Sequence, residues 1–241
     1  SSEPFFLYLA FNAPHDPVQP PEEWLDVVIE REPGIDPKRA RLVAFIEHLD
    51  ARVGDVLDTL SSTGQDRDTL VVFTSDNGGA LRFGANNGGL AGGKGDHLEG
   101  GIRVPMAVAW PDRIEPGSRS DNISLLMDLF PTICDVAGVS ELPQLDGISL
   151  LPTLKGHDQV TDDRVLFWVR QEGNMLFGGH TYYAARYKNH KILQNTPWEP
   201  YAFYDLSADP QETTRLEPVG EAYTFLFRQL MKHIQETTVN N

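Results

Sequence analysis

Two continuous apolar runs, separated by one amphipathic helix, constrain the fold of this chain more than any other feature. Residues 4–11 and 69–74 are apolar without alternation, which is typical of strands buried on both faces of a parallel sheet. Between them, apolar residues recur at spacings of three and four from Leu42 to Leu60, and Asp36 followed by Pro37 predicts where that helix begins. Strand, helix, strand is the unit of an α/β fold, and a right-handed crossover predicts that the two strands are parallel.

A third apolar strand is predicted at 106–110, followed by a helix over 122–138 that Pro131 interrupts. The hydrophobic pattern of the sequence changes after about residue 158. Short aromatic or β-branched runs at 164–170, 182–187 and 191–194 then predict a small antiparallel sheet, and 221–235 predicts a final amphipathic helix. We therefore predict an α/β region over residues 1–158 and a smaller α+β subdomain over residues 159–241.

Composition excludes several classes of function. The chain has 20 Lys and Arg against 35 Asp and Glu, a net charge of −15, which argues against a general binder of nucleic acid or anionic membranes. Its apolar runs fall short of the roughly 18 residues that a membrane span requires. The single cysteine, Cys134, excludes an internal disulfide framework, and its apolar helical neighbours indicate a core residue rather than a nucleophile.

Polar residues follow both of the buried runs, at the edge where parallel α/β sheets bind ligands. The first run leads to His15, and the second leads to Asp76 and Asn77. Carboxylate and amide oxygens suit a hard cation such as Ca²⁺ or Mg²⁺. The same residues also favour an ordinary turn, and two oxygens cannot complete a calcium shell of about 6–8 ligands. The local sequence therefore leaves both interpretations open.

A glycine-rich segment at 78–101 contains ten glycines in 24 positions. Residues 88–94 fit the start of a phosphate-binding P-loop, but Gly95 stands where that motif requires Ser or Thr, and no strand directly precedes it. Ordering glycine costs conformational entropy, and long loops in compact domains are usually functional or disordered. Lys94 is therefore either an anion-binding cation or a solvated side chain of a surface loop.

Several segments, in order along the chain, match motifs of one enzyme family. They are the run 5–8 leading to Pro14-His15, LDARVG at 49–54, TLVVFTSDNG at 69–78, GKG at 93–95, EGGIRVP at 99–105 and YDLSADPQET at 204–213. The chain resembles the type I sulfatases of the alkaline phosphatase superfamily over nearly its whole length. This resemblance implies a mostly parallel sheet flanked by helices, followed by a small C-terminal subdomain with an antiparallel sheet.

The resemblance also implies roles for individual residues. Asp76 and Asn77 match the family's late pair of metal ligands, usually for Ca²⁺, with Mg²⁺ as the alternative. Lys94 matches the lysine that contacts the sulfate oxygens, and a compact ammonium suits a tetrahedral anion. His15 matches the histidine that touches the sulfate or the leaving oxygen, where an imidazole can supply charge or a proton near neutral pH. Two further candidates for substrate contact are His97 and Arg82.

One departure from the family is as informative as the match. Sulfatases carry a C/S-x-P/A-x-R motif whose Cys or Ser becomes formylglycine, and its hydrate attacks sulfur. This chain contains neither that motif nor the family's early Asp-Asp pair. Because both belong to the N-terminal half of the fold, we interpret the chain as the C-terminal portion of a sulfatase, inactive alone. Its expected partners are the N-terminal half and a sulfate ester, either a small molecule or a sulfated carbohydrate, in the periplasm or outside the cell.

Three alternative functions remain open at this point. A phosphonate or phosphodiester hydrolase of the same superfamily would share the tetrahedral anion and the oxygen-ligated metal. A noncatalytic binding module would bind calcium without hydrolysis, and a P-loop protein would bind ATP tightly. Four aromatic residues of the C-terminal region could also stack on a sugar, although packing within the subdomain is the simpler explanation. They are Trp168, Tyr182, Tyr183 and Trp198.

Overall fold

The computed structural model describes residues 3–161, 163–171 and 178–238, which fall into two compact units. The first unit comprises Ser1–Asp68 with Ala80–Asn86, and the second comprises Thr69–Gly79 with Asn87–Asn241. The glycine-rich segment after residue 86 thus belongs to the same unit as the C-terminal residues, while the domain boundary at 158/159 stays a prediction.

The first unit is built around two packed helices, α1 (Glu22–Arg31) and α2 (Pro37–Ser62). The predicted start of α2 is confirmed, because the Asp36 carboxylate accepts hydrogen bonds from the backbone N–H groups of Lys38 and Arg39, each at 3.0 Å. Helix α1 was not predicted. It follows the Pro20-Pro21 pair and buries Val28 against two small residues of α2, Ala40 and Ala44.

The predicted buried strand at 4–11 is wrong for this chain. These residues form no strand, and their apolar side chains are exposed; Tyr8, for example, is 81% accessible. A strand with two buried faces needs neighbouring strands at its edges and helices over its faces. Within the described residues this segment has no paired strand, so the predicted parallel pairing with 69–74 is absent as well.

The second unit opens with two of the predicted strands, β1 (Val71–Thr74) and β2 (Met106–Ala109). They pair antiparallel, with Thr74 opposite Met106. Two short helices, α3 (Glu99–Ile102) and α5 (Leu151–Leu154), lie on either side of α4 (Leu129–Val136) in sequence. The helix predicted over 122–138 is present but shorter, and Pro131 does not interrupt it. A 3₁₀ turn (Leu126–Asp128) leads into α4, which begins at Leu129, and Pro131 lies in the first turn of α4, where a missing N–H leaves no hydrogen bond unmade.

The predicted C-terminal antiparallel sheet is confirmed, with one strand more than expected. Its strands are β3 (Leu166–Gln171), β4 (Thr181–Tyr187), β5 (His190–Leu193) and β6 (Ala202–Asp205), in that spatial order, followed by α6 (Gly220–Thr238). Helix α6 covers one face of the sheet, where Leu226 and Leu230 pack on Ile192. The opposite face carries Ala184, against which Leu98 of the glycine-rich segment packs. Within the described residues, no helix is both long and apolar enough to cross a bilayer.

Candidate functional site

The loop that follows β1 is fastened directly to the glycine-rich segment. The side chain of Asn87 accepts a hydrogen bond from the N–H of Gly79 at 2.8 Å and donates to the carbonyls of Gly79 and Gly92, at 3.2 and 2.9 Å. The backbone N–H of Lys94 also donates to the Gly79 carbonyl, at 3.1 Å. These bonds hold the loop that carries Asp76 against the segment that carries Lys94.

Backbone contact explains why a glycine follows the Asp-Asn pair. The N–H of Gly78 donates to the carbonyl of Gly101 at 2.9 Å, and a Cβ at position 78 would collide with the Gly100 carbonyl oxygen. Only glycine lets the two backbones approach so closely. The Asp-Asn-Gly-Gly sequence is therefore more than a surface turn, since its backbone packs against Gly100 and Gly101 at the other end of the glycine-rich segment.

The polar groups predicted to bind metal and sulfate remain accessible. The side chains of Asp76 and Lys94 are exposed, and Asn77 is half-buried. Within the described ranges, no cluster of three or more His, Cys, Asp or Glu residues could hold a metal ion. The Asp76 carboxylate and the Asn77 amide oxygen suit a hard cation, but a complete oxygen shell needs donors beyond these two.

His97 fastens the glycine-rich segment to the C-terminal sheet. Its backbone N–H donates to the Asn195 side-chain oxygen at 2.8 Å, and its Nδ1 lies 2.9 Å from the Gln194 carbonyl, which as an acceptor requires the proton on Nδ1. Its ring packs 5.1 Å from that of Tyr182. Burial lowers the pKa of His97 to about 4, and only 4% of the residue is accessible. The imidazole is neutral near pH 7, so any contact with substrate, which stays a prediction, would involve an uncharged ring.

A buried ion network lies two residues further along. The Nζ of Lys191, on β5, lies 2.8 Å from Oε1 of Glu99 and 2.8 Å from Oε1 of Glu212. The Arg186 guanidinium lies 3.4 Å from Oε2 of Glu99, and the Glu99 N–H donates to Glu212. Two cations thus balance two carboxylates. Burial raises the pKa of Glu212, although Lys191 opposes that shift.

Sequence reasoning missed Lys191 and Glu212 as partners of this region. The only signal was a lysine next to the two apolar residues that end strand β5, Ile192 and Leu193. In the sheet, Lys191 stands opposite Arg186, which shares a face with Tyr182 and Ala184 because side chains alternate along a strand. The glycine-rich segment therefore packs against one face of the C-terminal sheet.

A second cation at the candidate site was also missed. Gly95 has φ +99°, and a Cβ there would collide with the guanidinium of Arg170, on β3. Arg170 stands opposite Tyr182 in the ladder, and its guanidinium lies 6.0 Å from the Tyr182 ring. A guanidinium thus lies against the residue that follows Lys94, at a position whose positive φ favours glycine.

The two remaining predicted residues lie in the first unit, next to one carboxylate. His15 is exposed, with its Nδ1 2.8 Å from the Asp16 carbonyl and 3.4 Å from Oδ1 of the same residue. The Arg82 guanidinium lies 3.9 Å from Oδ1 of Asp16. The six predicted residues thus form two groups, His15 with Arg82 and the other four in the second unit.

Comparison with known proteins identifies the family. The model of the sulfatase family matches residues 1–139, and that of the C-terminal region of N-sulphoglucosamine sulphohydrolase matches residues 96–240. The chain belongs to the sulfatase family. This sulfatase chain is 35% identical to N-acetylgalactosamine-6-sulfatase of Rattus norvegicus over 205 residues, covering 82% of the chain and 36% of the rat enzyme.

Two further relatives extend the match. A sulfatase of Formosa agariphila is 32% identical over 236 residues, which cover 90% of this chain and 42% of that protein. The crystal structure of Ps i-CgsB in complex with k-i-k-neocarrahexaose superposes with a TM-score of 0.85 and 31% identity, over 96% of this chain and 50% of that one. The chain therefore spans about a third to a half of the length of these relatives, and the expected sulfatase fold class is confirmed.

Proposed function

We propose that this chain is the C-terminal portion of a longer enzyme that hydrolyses sulfate esters. One observation carries the proposal: a hydrogen bond from the backbone N–H of Lys94 to the Gly79 carbonyl holds the backbone of this residue, whose ammonium is exposed, against the loop of Asp76 and Asn77. A cation for an anionic group and oxygens for a metal are thus anchored in one framework. That combination suits a tetrahedral anion, and it agrees with the sulfatase family of the chain.

Lys94 would bind the sulfate oxygens. Charge on these oxygens changes as the ester bond breaks, and an ammonium beside them offsets that charge. Its backbone is held by Gly79 and by the turn in which the Gly93 N–H donates to Asp96 at 2.8 Å. The Arg170 guanidinium beside Gly95 adds positive potential in the same place, although the chain as a whole carries −15.

Asp76 and Asn77 would supply two of the oxygen ligands of Ca²⁺, or of Mg²⁺. When bound, such an ion would polarise the sulfate group and neutralise part of its charge. Within the described ranges, no hydrogen bond or ion pair engages the Asp76 carboxylate, so it can accept a metal without breaking an existing contact. The other ligands would come from the rest of the longer protein.

His15 would contact the sulfate or donate a proton to the leaving oxygen. Its ring is exposed, and the Nδ1 contact with the Asp16 carbonyl orients it and leaves Nε2 for a ligand. Arg82, which faces the same Asp16 carboxylate, would be a further contact to the anion. Both assignments depend on the family resemblance together with this local geometry.

The N-terminal half would supply the nucleophile, expected to be a formylglycine. The sequence of this chain lacks the motif that carries this nucleophile. In addition, the apolar run 4–11 has the composition of a buried strand, yet its side chains are exposed. We propose that the rest of the longer protein covers this run. The chain alone would then be inactive.

Hydrolysis by the full-length protein tests the proposal. The wild type should release sulfate from 4-nitrophenyl sulfate or from a sulfated sugar, and Lys94→Ala should lower kcat/KM by about 10²–10³-fold, as when one preorganised donor is lost. Lys155→Ala removes an exposed lysine of the same unit and serves as the matched control. Equal rates for Lys94→Ala and the wild type would remove the assigned role. Preferential hydrolysis of a phosphonate monoester would favour the alternative within the superfamily.

A further inference from the structure

The structure separates the four aromatic residues that could stack on a sugar. Tyr182 is 1% accessible, Trp168 packs against the core cluster of Ala184 and Leu193, and Tyr183 packs on the side of α6. Trp198 is different, because 64% of it is accessible to solvent. Core packing therefore accounts for three of the four and leaves Trp198 without a structural role of that kind.

The exposed Trp198 ring sits on a restrained loop. Pro197 and Pro200 flank the Trp-Glu pair and fix two backbone torsions. The Glu199 carboxylate accepts hydrogen bonds from the N–H groups of Asn195 and Thr196, at 2.5 and 3.0 Å. The ring of His180 contacts the indole edge-on, with centroids 4.6 Å apart. A rigid, accessible indole loses little entropy when a ligand covers it.

The same loop is joined to the segment that carries Lys94. The Asn195 side chain accepts the hydrogen bond from the His97 N–H at 2.8 Å. Lys94 lies three residues before His97, and Trp198 lies three residues after Asn195; three residues span at most about 11 Å. The sheet makes a second link, because His180 directly precedes β4, whose Tyr182 packs on His97.

We propose that Trp198 is the stacking platform for a sugar ring of a sulfated carbohydrate, a specificity-determining residue beside the sulfate site. A pyranose presents one face of C–H groups, and the flat indole face offers matching apolar area with a negative quadrupole. The ring would lie on Trp198 while its sulfate reaches Lys94. This inference rests on the proposed function and adds to it a residue that would recognise the sugar bearing the sulfate.

The test compares a sugar-bearing ligand with a sugar-free one in the full-length protein. The KM is measured for a sulfated galacto-oligosaccharide, and the Ki is measured for inorganic sulfate, which engages the anion site alone. In Trp198→Ala, the ratio of KM to Ki should rise about tenfold, the size of effect expected for one lost aromatic contact. Trp198→Phe, which keeps a stacking face, should recover most of this loss. Phe225→Ala, which removes an aromatic contact with Tyr187 on the side of α6, should keep the wild-type ratio.

A second measurement separates this inference from the proposed function. Binding of the desulfated oligosaccharide, followed by saturation-transfer NMR, needs no hydrolysis. Sulfate-ester hydrolysis absent in the wild type would overturn the proposed function alone, while saccharide binding that Trp198→Ala abolishes would still support the platform. An unchanged ratio of KM to Ki overturns the platform. So does saccharide binding that is equal in the wild type and Trp198→Ala, or absent in both.

Discussion

The ammonium of Lys191 and the carboxylate of Glu99 form a fully buried ion pair, with Nζ 2.8 Å from Oε1. Lys191 lies on β5, whereas Glu99 opens the short helix α3 that ends the glycine-rich segment. Glu212 completes the network at 2.8 Å from the same ammonium. The position of the segment that carries Lys94 therefore depends on charges contributed by the C-terminal sheet.

Replacing Lys191 by Met should strongly destabilise the contact between α3 and the C-terminal sheet, which we call the junction. The change leaves two buried carboxylates without their shared cation, and breaking a buried ion pair typically costs about 3–5 kcal/mol. Hydrogen–deuterium exchange of the full-length protein, read on peptides that cover 96–103 and 190–206, measures the effect. Lys188→Met is the matched control, because that ammonium is half exposed and lies 3.7 Å from an exposed Asp163. Equal protection in the two variants would contradict the prediction.

The same variant should become more sensitive to high pH. Burial already raises the pKa of Glu212, and loss of Lys191 would raise it further. A carboxyl whose pKa is higher in the folded state binds more protons there, so stability is greatest below the unfolded pKa and falls as pH rises through the folded one. Protection of the 190–206 peptides in Lys191→Met should therefore improve towards acidic pH, relative to the wild type. A loss that is constant with pH would exclude this origin.

His97 should make the junction sensitive to acid in the opposite sense. Its pKa is lowered by burial to about 4, against an ordinary value near 6.5, so the unfolded state binds more protons between these limits. Stability from this group is present above about pH 6.5 and is lost as pH falls towards 4, by roughly 3 kcal/mol in all. His97→Gln should flatten the dependence of exchange between pH 7 and pH 4.5, whereas the exposed His157→Gln should keep it. An unaltered pH profile in His97→Gln would refute this account.

Local signals predicted the elements that depend on local physics. The capping carboxylate of Asp36, the spacing of apolar residues in α2 and the short aromatic or β-branched runs of the C-terminal sheet all describe contacts made within one element or with its neighbour. The apolar run 4–11 was misjudged for this chain, because its pattern reports two covered faces and says nothing about which segments cover them. Strand β6 was missed because its four residues, although two are aromatic, are too few to show a period.

The candidate site was only partly predictable for a similar reason. Asp76 and Lys94 stand in motifs that the sequence displays, but Arg170 reaches Gly95 through the fold of a sheet far along the chain. Lys191 and Glu212 likewise acquire their partners only when β5 and the 204–213 segment meet α3. Ion pairs between residues far apart in the chain leave no pattern in the sequence, so a single sequence cannot predict them.

Asp76→Ala should weaken calcium binding by the full-length protein at least about tenfold, because the variant loses the charged one of the two oxygen donors that this chain supplies. Isothermal titration with Ca²⁺ measures this without any turnover. Asp121→Ala changes the same net charge at an exposed position outside the site and should bind Ca²⁺ as the wild type does. Undiminished calcium affinity in Asp76→Ala would remove Asp76 from the metal site.

Gly95→Ala should impair sulfate-ester hydrolysis by the full-length protein about tenfold or more. The variant must hold φ +99°, and its Cβ would displace the Arg170 guanidinium, the flexible end of a side chain, from its place beside Lys94. Gly88→Ala is the matched control, since Gly88 lies in the same segment with φ +68° and has open space around its Cβ position. Both variants place a side chain at positive φ, +68° lying within the left-handed region and +99° outside it, and only Gly95→Ala also meets the guanidinium. A double-mutant cycle with Arg170→Ala isolates the effect of the contact between position 95 and the guanidinium. Gly95→Ala should lower kcat/KM less in the Arg170→Ala background than in the wild type. Strictly additive effects of the two substitutions would show that Arg170 does not occupy this position.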